Sequence, residues 1–195
     1  MDIIIISITA LLTSLMTFFT GFGLGTILTP VFAIFFPIDI AIALTGIVHL
    51  LNNLFKLALV GKEANKTVVL KFGIPAIIAA FIGAELMITL STLPELFSYT
   101  VFGKEFLILP IKLIVAVLMI TFALMEALPK LKNIQFNANK LYVGGALSGF
   151  FGGLSGHQGA FRSAFLIRAG LTKESFIATG VTIACLIDFT RLSVY

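Results

Sequence analysis

Charge is what this sequence has least of. Only 11% of its 195 residues are charged, and 59% are hydrophobic. A soluble domain has about a quarter of its residues charged. No soluble fold of this length hides so much apolar surface, so the chain reads as an integral membrane protein. It has no Trp and only three Tyr, so the aromatic belt usual at the membrane–water boundary is missing, while 20 Phe suit packing against lipid. The one Cys, Cys185, excludes an intramolecular disulfide and any multi-cysteine metal site, and in its apolar run it reads as a small buried hydrophobe. There are two His and no carboxylate pair at ligand spacing, so neither a catalytic metal nor another cofactor is expected. H-E-x-x-H, G-x-S-x-G and Walker patterns are absent, which argues against an enzyme. The opening MDIIIISITALL lacks a basic n-region and an A-x-A site, so it reads as a retained span.

The charges present are useful for orientation. A net charge of +4 is no sign of nucleic-acid binding in a membrane chain; what counts is which loops carry it. Charge-free apolar windows predict spans near 40–60, 67–91, 107–127, 141–168 and from 174 onward. The window 3–38 is too long for one helix and tight for two, with Gly21, Gly23, Gly25 and Pro30 in its middle, so a broken helix is expected there. Asp39 is the expected N-cap of the span that follows. Linker 61–71 carries Lys62, Lys66 and Lys71 against Glu63, and linker 129–140 carries Lys130, Lys132 and Lys140 with no acid. Region 85–106 carries Glu85, Glu95 and Glu105 against Lys104. The positive-inside rule puts the first two in the cytoplasm and the third outside. One net crossing by 3–38 then makes the N-terminus cytoplasmic. Arg168 and Lys173 fall on the outer side, against the rule.

An offset of 134 positions lays 21–46 on 155–180. Gly25 meets Gly159, Thr45-Gly46 meets Thr179-Gly180, Phe55 meets Phe189, and Asp39 lies close to Thr172. The expected fold is an all-α polytopic helix bundle of two tandem four-span repeats with Gly-broken helices. The units are residues 1–128, a cytoplasmic linker 129–140, and 141–195 as a C-terminally incomplete second copy. Four crossings per unit make the repeats parallel. Duplicated units with interrupted segments at matching places are a transporter signature.

Breaking a helix in lipid frees backbone groups, and a restarting half-helix aims several N–H donors and its positive dipole end at one spot. The expected substrate-binding residues are therefore Gly21, Gly23, Gly25 and Thr26 from the first break, with Gly156, His157, Gln158, Gly159 and Arg162 from the second. Arg162 supplies charge and a bidentate fork, or else snorkels or pairs with Asp188. His157 and Gln158 add neutral donors; a satisfied core His is the other reading of His157. The glycines of 144–156 form G-x-x-x-G pairs that also suit helix packing. A stripe of Thr45, His49, Asn52, Asn53 and Lys56 shares one helical face, with Lys56 read as snorkelling to the cytoplasmic end. His49, Asn52, Asn53, Asp188 and Arg191 are the candidates for coupling or gating, although Asp188 and Arg191 at i, i+3 also fit a local ion pair.

GFGLGTILTPVF near the N-terminus and GGALSGFFGGLSGHQGAFRSAFLIRAGLTKESFIATGV in the second half resemble the TauE/SafE sulfite exporter family, the four-span-repeat permeases of the toluene sulfonate uptake type. That resemblance implies a secondary transporter for sulfite, a sulfonate or another small sulfur oxyanion in the bacterial inner membrane. The second motif departs from the usual glycine run, reading S-G-H-Q-G, and Ala164 stands where the first copy has Pro30. The implied partners are a small inorganic or organic anion and the lipid bilayer, not nucleic acid, with a homo-oligomer left open. A passive channel, a cation or metal carrier, and a non-transporting scaffold subunit are the alternatives.

Overall fold

The computed structural model describes residues 2–20, 23–128 and 135–195. Among them are eight α-helices: α1 Asp2–Thr20, α2 Leu24–Phe35, α3 Ile38–Val60, α4 Lys66–Ser91, α5 Pro110–Ala127, α6 Leu141–Ser155, α7 Gly159–Leu166 and α8 Lys173–Leu192. One hairpin, β1 Phe97–Val101 with β2 Lys104–Ile108, joins α4 to α5. Gly21 and residues 129–134 of the 129–140 linker lie outside the described residues.

Local chemistry sets several starts. Asn65 caps α4 by accepting from the Val68 N–H at 3.1 Å, and Thr172 caps α8 by accepting from the Ser175 N–H at 3.2 Å. Asp39 is not the cap expected of it. Pro37 holds the N-cap position of α3, and Asp39 sits in the first turn, where its carboxylate suits the positive helix end. Three helices are long and apolar enough to cross a membrane, namely α3 with the short turn Gly61–Glu63 that follows it, α4 and α8. The 18 residues of α5 reach about 27 Å at 1.5 Å each, close to a hydrocarbon core.

Contacts fix the directions. Thr29 of α2 donates to the Thr45 hydroxyl of α3 at 3.3 Å, and Leu24, Leu28 and Phe32 pack with Ala41, so α2 runs against α3. Asn52 donates to the Ser14 carbonyl at 3.2 Å and Lys56 to the Thr17 carbonyl at 3.0 Å, so α1 runs parallel to α3. Residues 2–35 therefore go out and back, and the single net crossing expected of 3–38 is not what these helices make. The ammonium of Lys56 turns onto the buried Thr17 carbonyl of α1.

The window 141–168 likewise holds a reversal in place of one span. α6 ends at Gly156, whose φ of 81° is the left-handed turn that glycine tolerates. α7 then heads back: Phe165 packs against Gly144, Phe136 donates from its N–H to the Ala164 carbonyl at 3.0 Å, and Arg168 donates to Gln135 at 2.9 Å. Residues 166–173 thus share an end of the bundle with 135–140. The 61–65 turn is at that end too, since the Asn65 N–H reaches Thr179 early in α8. Arg168 and Lys173 join Lys62, Lys66 and Lys140 there, and their conflict with the positive-inside rule disappears.

His49 meets Asp188, Gly46 lies beside Arg191, and Asn65 meets Thr179, so α8 is antiparallel to α3. The segments related by the 134-residue offset run in opposite directions, which overturns the parallel arrangement.

The core seam lies between α4 and α6. A Cβ on Gly145, Gly149 or Gly153 would overlap the backbone carbonyl of Phe72, Ala76 or Ala80, and one on Gly83 would overlap that of Phe150. This is small-residue packing of the G-x-x-x-G kind, and it accounts for these glycines without a ligand. Between them, α4 and α6 hold the buried cluster of Phe72, Ala76 and Ala80 with Phe165 of α7 and Ile183 and Ile187 of α8.

The hairpin was not anticipated. Phe102 and Gly103 at its tip both have positive φ, the pattern of two-residue hairpin turns. Its signal is the alternation of Phe97, Tyr99 and Val101 with Ser98 and Thr100.

Candidate functional site

Two helix starts converge on one small cavity. Gly23, with φ 98°, precedes α2, and Gly156 leads through His157 and Gln158 into α7. The cavity, about 20 Å³, is lined by Gly23, Leu24, Gly25 and Thr26 from the first break and by Gly156, His157, Gln158, Gly159, Ala160 and Arg162 from the second. His49 of α3 and Phe122 of α5 complete the wall. A Cβ on Gly25 would lie 3.2 Å from the Gly156 carbonyl oxygen, so the two breaks touch. The volume suits about one water.

The first intrahelical donors are Ile27, bonded to the Gly23 carbonyl, and Arg162, bonded to the Gln158 carbonyl. The N–H groups of 24–26 and 159–161 precede them, and the positive ends of both helix dipoles meet at the cavity.

The side chains behind this wall form one buried network. Arg162 Nη1 donates to Gln158 Oε1 at 2.8 Å, and Gln158 Nε2 donates to Asp188 Oδ1 at 2.9 Å. Asp188 Oδ2 lies 2.6 Å from His49 Nδ1, and Arg191 Nε donates to Asp188 Oδ1 at 2.9 Å. Asn53 lies 3.0 Å from His49 Nδ1 and 3.5 Å from Asp188 Oδ2. The Gln158 carbonyl accepts from Ser148 at 2.8 Å. Asp188 and Arg191 are fully buried and Arg162 is 6% exposed. Two guanidiniums thus stand against one carboxylate, which only Arg191 touches, and the balance beside the cavity is positive.

Arg162 therefore reaches Asp188 only through Gln158, and among the described residues no carboxylate lies within ion-pair distance of it. Gln158 is not the free donor expected: both ends of its amide are engaged. Asp188 and Arg191 are more than a local pair, because they tie α8 to α3 and to the second break. Asn52 stands apart, holding α1. Arg191 occupies a cleft made by two glycines, since a Cβ on Gly46 would lie 3.1 Å from its Cζ and one on Gly156 3.1 Å from its Nη1. Its Nη2 sits 2.9 Å from Asp188 Oδ1 as an ion pair, outside hydrogen-bond alignment.

His157 departs furthest from expectation. Its ring stacks on Phe122, centroids 5.3 Å apart and planes within 5°. Its Nδ1 is 3.2 Å from Ser155 Oγ, and that hydroxyl donates its one proton to the Phe151 carbonyl at 3.0 Å. Ser155 can then only accept from His157, which puts the neutral ring's proton on Nδ1 and a bare lone pair on Nε2. Among the described residues Nε2 is buried with no hydrogen-bond partner, a situation that costs about 1–3 kcal/mol. The residue is 5% exposed.

Phe122 escaped the sequence reading, since one Phe among 20 in apolar helices carries no distinguishing mark. His49 was read as a coupling candidate, and it lies on the cavity wall as well.

No curated protein and no solved structure matches the chain. The sulfite exporter TauE/SafE family matches residues 6–195, nearly the whole length, and the chain belongs to that family of membrane transporters.

Proposed function

We propose that this protein is a secondary transporter that carries a small sulfur oxyanion, sulfite or an organosulfonate, through the cavity between its two helix breaks. The observation that carries the reading is the meeting of two half-helix N-termini beside Arg162, in a site with surplus positive charge and no carboxylate on its wall. Backbone donors and dipole ends suit an oxyanion, and glycine lets it approach them. A cation carrier needs the opposite balance. The cavity as it stands is a closed state, and an anion larger than water requires it to widen.

The architecture supports alternating access. An offset of 134 residues carries α2 onto α7 and α3 onto α8 within one residue at their starts, and the two sets point in opposite directions. That is the arrangement of inverted-repeat transporters, with the site between the copies. With the basic end cytoplasmic in the bacterial inner membrane, the first residues of α1 lie on the outer side. This keeps the side of the basic loops and reverses only the N-terminus, which one net crossing by 3–38 had made cytoplasmic.

His49 and Asp188 are proposed as the coupling pair. His49 sits on the cavity wall and touches a fully buried carboxylate, so it can pass a proton between them. Asn53 and Arg191 hold that pair in place, and Asn52 ties α1 to α3 as part of the gate.

The test is sulfite flux into proteoliposomes with wild type, Arg162→Ala and Arg162→Lys, each checked for normal insertion and monodispersity. Flux is expected to vanish in Arg162→Ala and to recover in part in Arg162→Lys. Wild-type flux in a well-folded Arg162→Ala protein would remove Arg162 from the site.

A further inference from the structure

From the lone pair on His157 we infer that the transported species is a singly charged oxyanion that still carries an acidic proton, such as hydrogen sulfite, and that His157 Nε2 accepts that proton's hydrogen bond. This rests on the anion-site reading above and sharpens the class of substrate.

The observation that carries it is the nitrogen itself. His157 belongs to the cavity wall, its Nδ1 proton is committed to Ser155, and its Nε2 is buried without a partner. A fully ionised oxyanion offers that atom only oxygen lone pairs, which repel it. A hydrogen-oxyanion offers an O–H donor. The surroundings suit an anion, since Arg162 and Arg191 outnumber Asp188 and Lys56 adds to the positive field at Arg162. The other titratable groups around the site are His49 on α3, paired with Asp188, Lys56 on the same helix, bonded to α1, Cys185 on α8 beside Arg162 and Asp188, and Tyr195 beside Arg191. α5 presents Phe122, and α6 presents Phe151 and Ser155.

The geometry also separates the roles of the two sides of the site. Backbone N–H groups and Arg162 read the charged oxygens. His157 reads the protonated one, and it can do so only while Ser155 holds its proton on the far nitrogen. No bond is made or broken, and the proton travels with the anion.

The experiment compares binding of hydrogen sulfite and of methanesulfonate, a monoanion with no acidic proton, to the full-length protein in nanodiscs. Wild type is expected to prefer hydrogen sulfite. Its affinity for total sulfite should fall as pH rises through sulfite's own second ionisation, while methanesulfonate, run in parallel, reports any titration of His49 or Lys56. His157→Phe keeps the stack on Phe122 and removes the acceptor. It should cut the preference ratio by about tenfold. Ser155→Ala frees the ring to move its proton to Nε2, and should lower the same ratio by favouring methanesulfonate. If wild type binds both anions equally, or if neither substitution moves the ratio, the inference falls and Nε2 serves a water only. If wild type binds neither anion, the anion-site reading falls with it.

Discussion

Nδ1 of His49 lies 2.6 Å from a carboxylate oxygen of Asp188, although 139 positions separate the two residues. The contact joins α3 to α8 in the middle of the bundle. The side chain of Asp188 is completely buried and that of His49 is 14% exposed, so the histidine is the carboxylate's link toward the cavity.

Removing that carboxylate leaves the Arg191 guanidinium buried with no counter-charge. Breaking a buried pair from one side costs about 3–5 kcal/mol. Asp188→Asn is therefore expected to lower the melting midpoint of the purified protein markedly and to reduce its yield. A wild-type melting curve for Asp188→Asn would show that Arg191 does not depend on it.

The glycines of the bundle are not equivalent. A methyl on Gly149 meets the backbone of Ala76, which cannot step aside, so Gly149→Ala should cost more than about 1–3 kcal/mol. A methyl on Gly180 finds its nearest atoms at 3.7–3.8 Å, an ordinary contact, so Gly180→Ala should fold like wild type. Thermal aggregation of the two variants, followed by size-exclusion chromatography, checks the contrast; equal behaviour would contradict the seam.

The reversals at 20–24 and 155–159 make a sidedness prediction. With Cys185→Ala as background, single cysteines at Lys62 and Arg168 should react with an impermeant reagent from one side of the membrane, and those at Ile4 and Thr100 from the other. Labelling of Arg168→Cys together with Thr100→Cys would mean that α6 and α7 cross as one span.

Gln158 tests the charge of the site. Gln158→Glu puts a carboxylate where an amide oxygen now lies 2.8 Å from Arg162 Nη1. It should neutralise the surplus charge and weaken anion binding by at least about tenfold, about 1.4 kcal/mol. Titration calorimetry with sulfite measures it, and undiminished affinity would mean that Arg162 does not bear on the anion.

Much of the cavity's wall could be read from the chain, because Gly23, Gly25, Gly156 and Arg162 break apolar runs where nothing else does. Direction could not. A largely apolar window such as 141–168 looks alike whether it crosses once or turns back at Gly156, and composition does not record which way a helix points. The one clue was electrostatic: Arg168 and Lys173 sat on the wrong side of a single-span reading. The partner of Lys56 was equally hidden: its stem is long enough either to snorkel or to reach a neighbour, and only the fold supplies the Thr17 carbonyl. The hydrogen-bond state of His157 was equally out of reach, since it depends on a serine hydroxyl already committed to Phe151.

The glycine seam also has a mechanical side. α4 and α6 touch main chain to main chain at three successive four-residue steps, so one cannot creep along the other; it could only jump a whole turn, about 5.4 Å. The pair therefore serves as the chassis of the machine. α1 hangs from α3 by two side chains, Asn52 and Lys56, clasping two carbonyls, and such clasps can open and close within a turnover. The seam is thus the least compliant contact of the bundle, and α1 is held more loosely than α6.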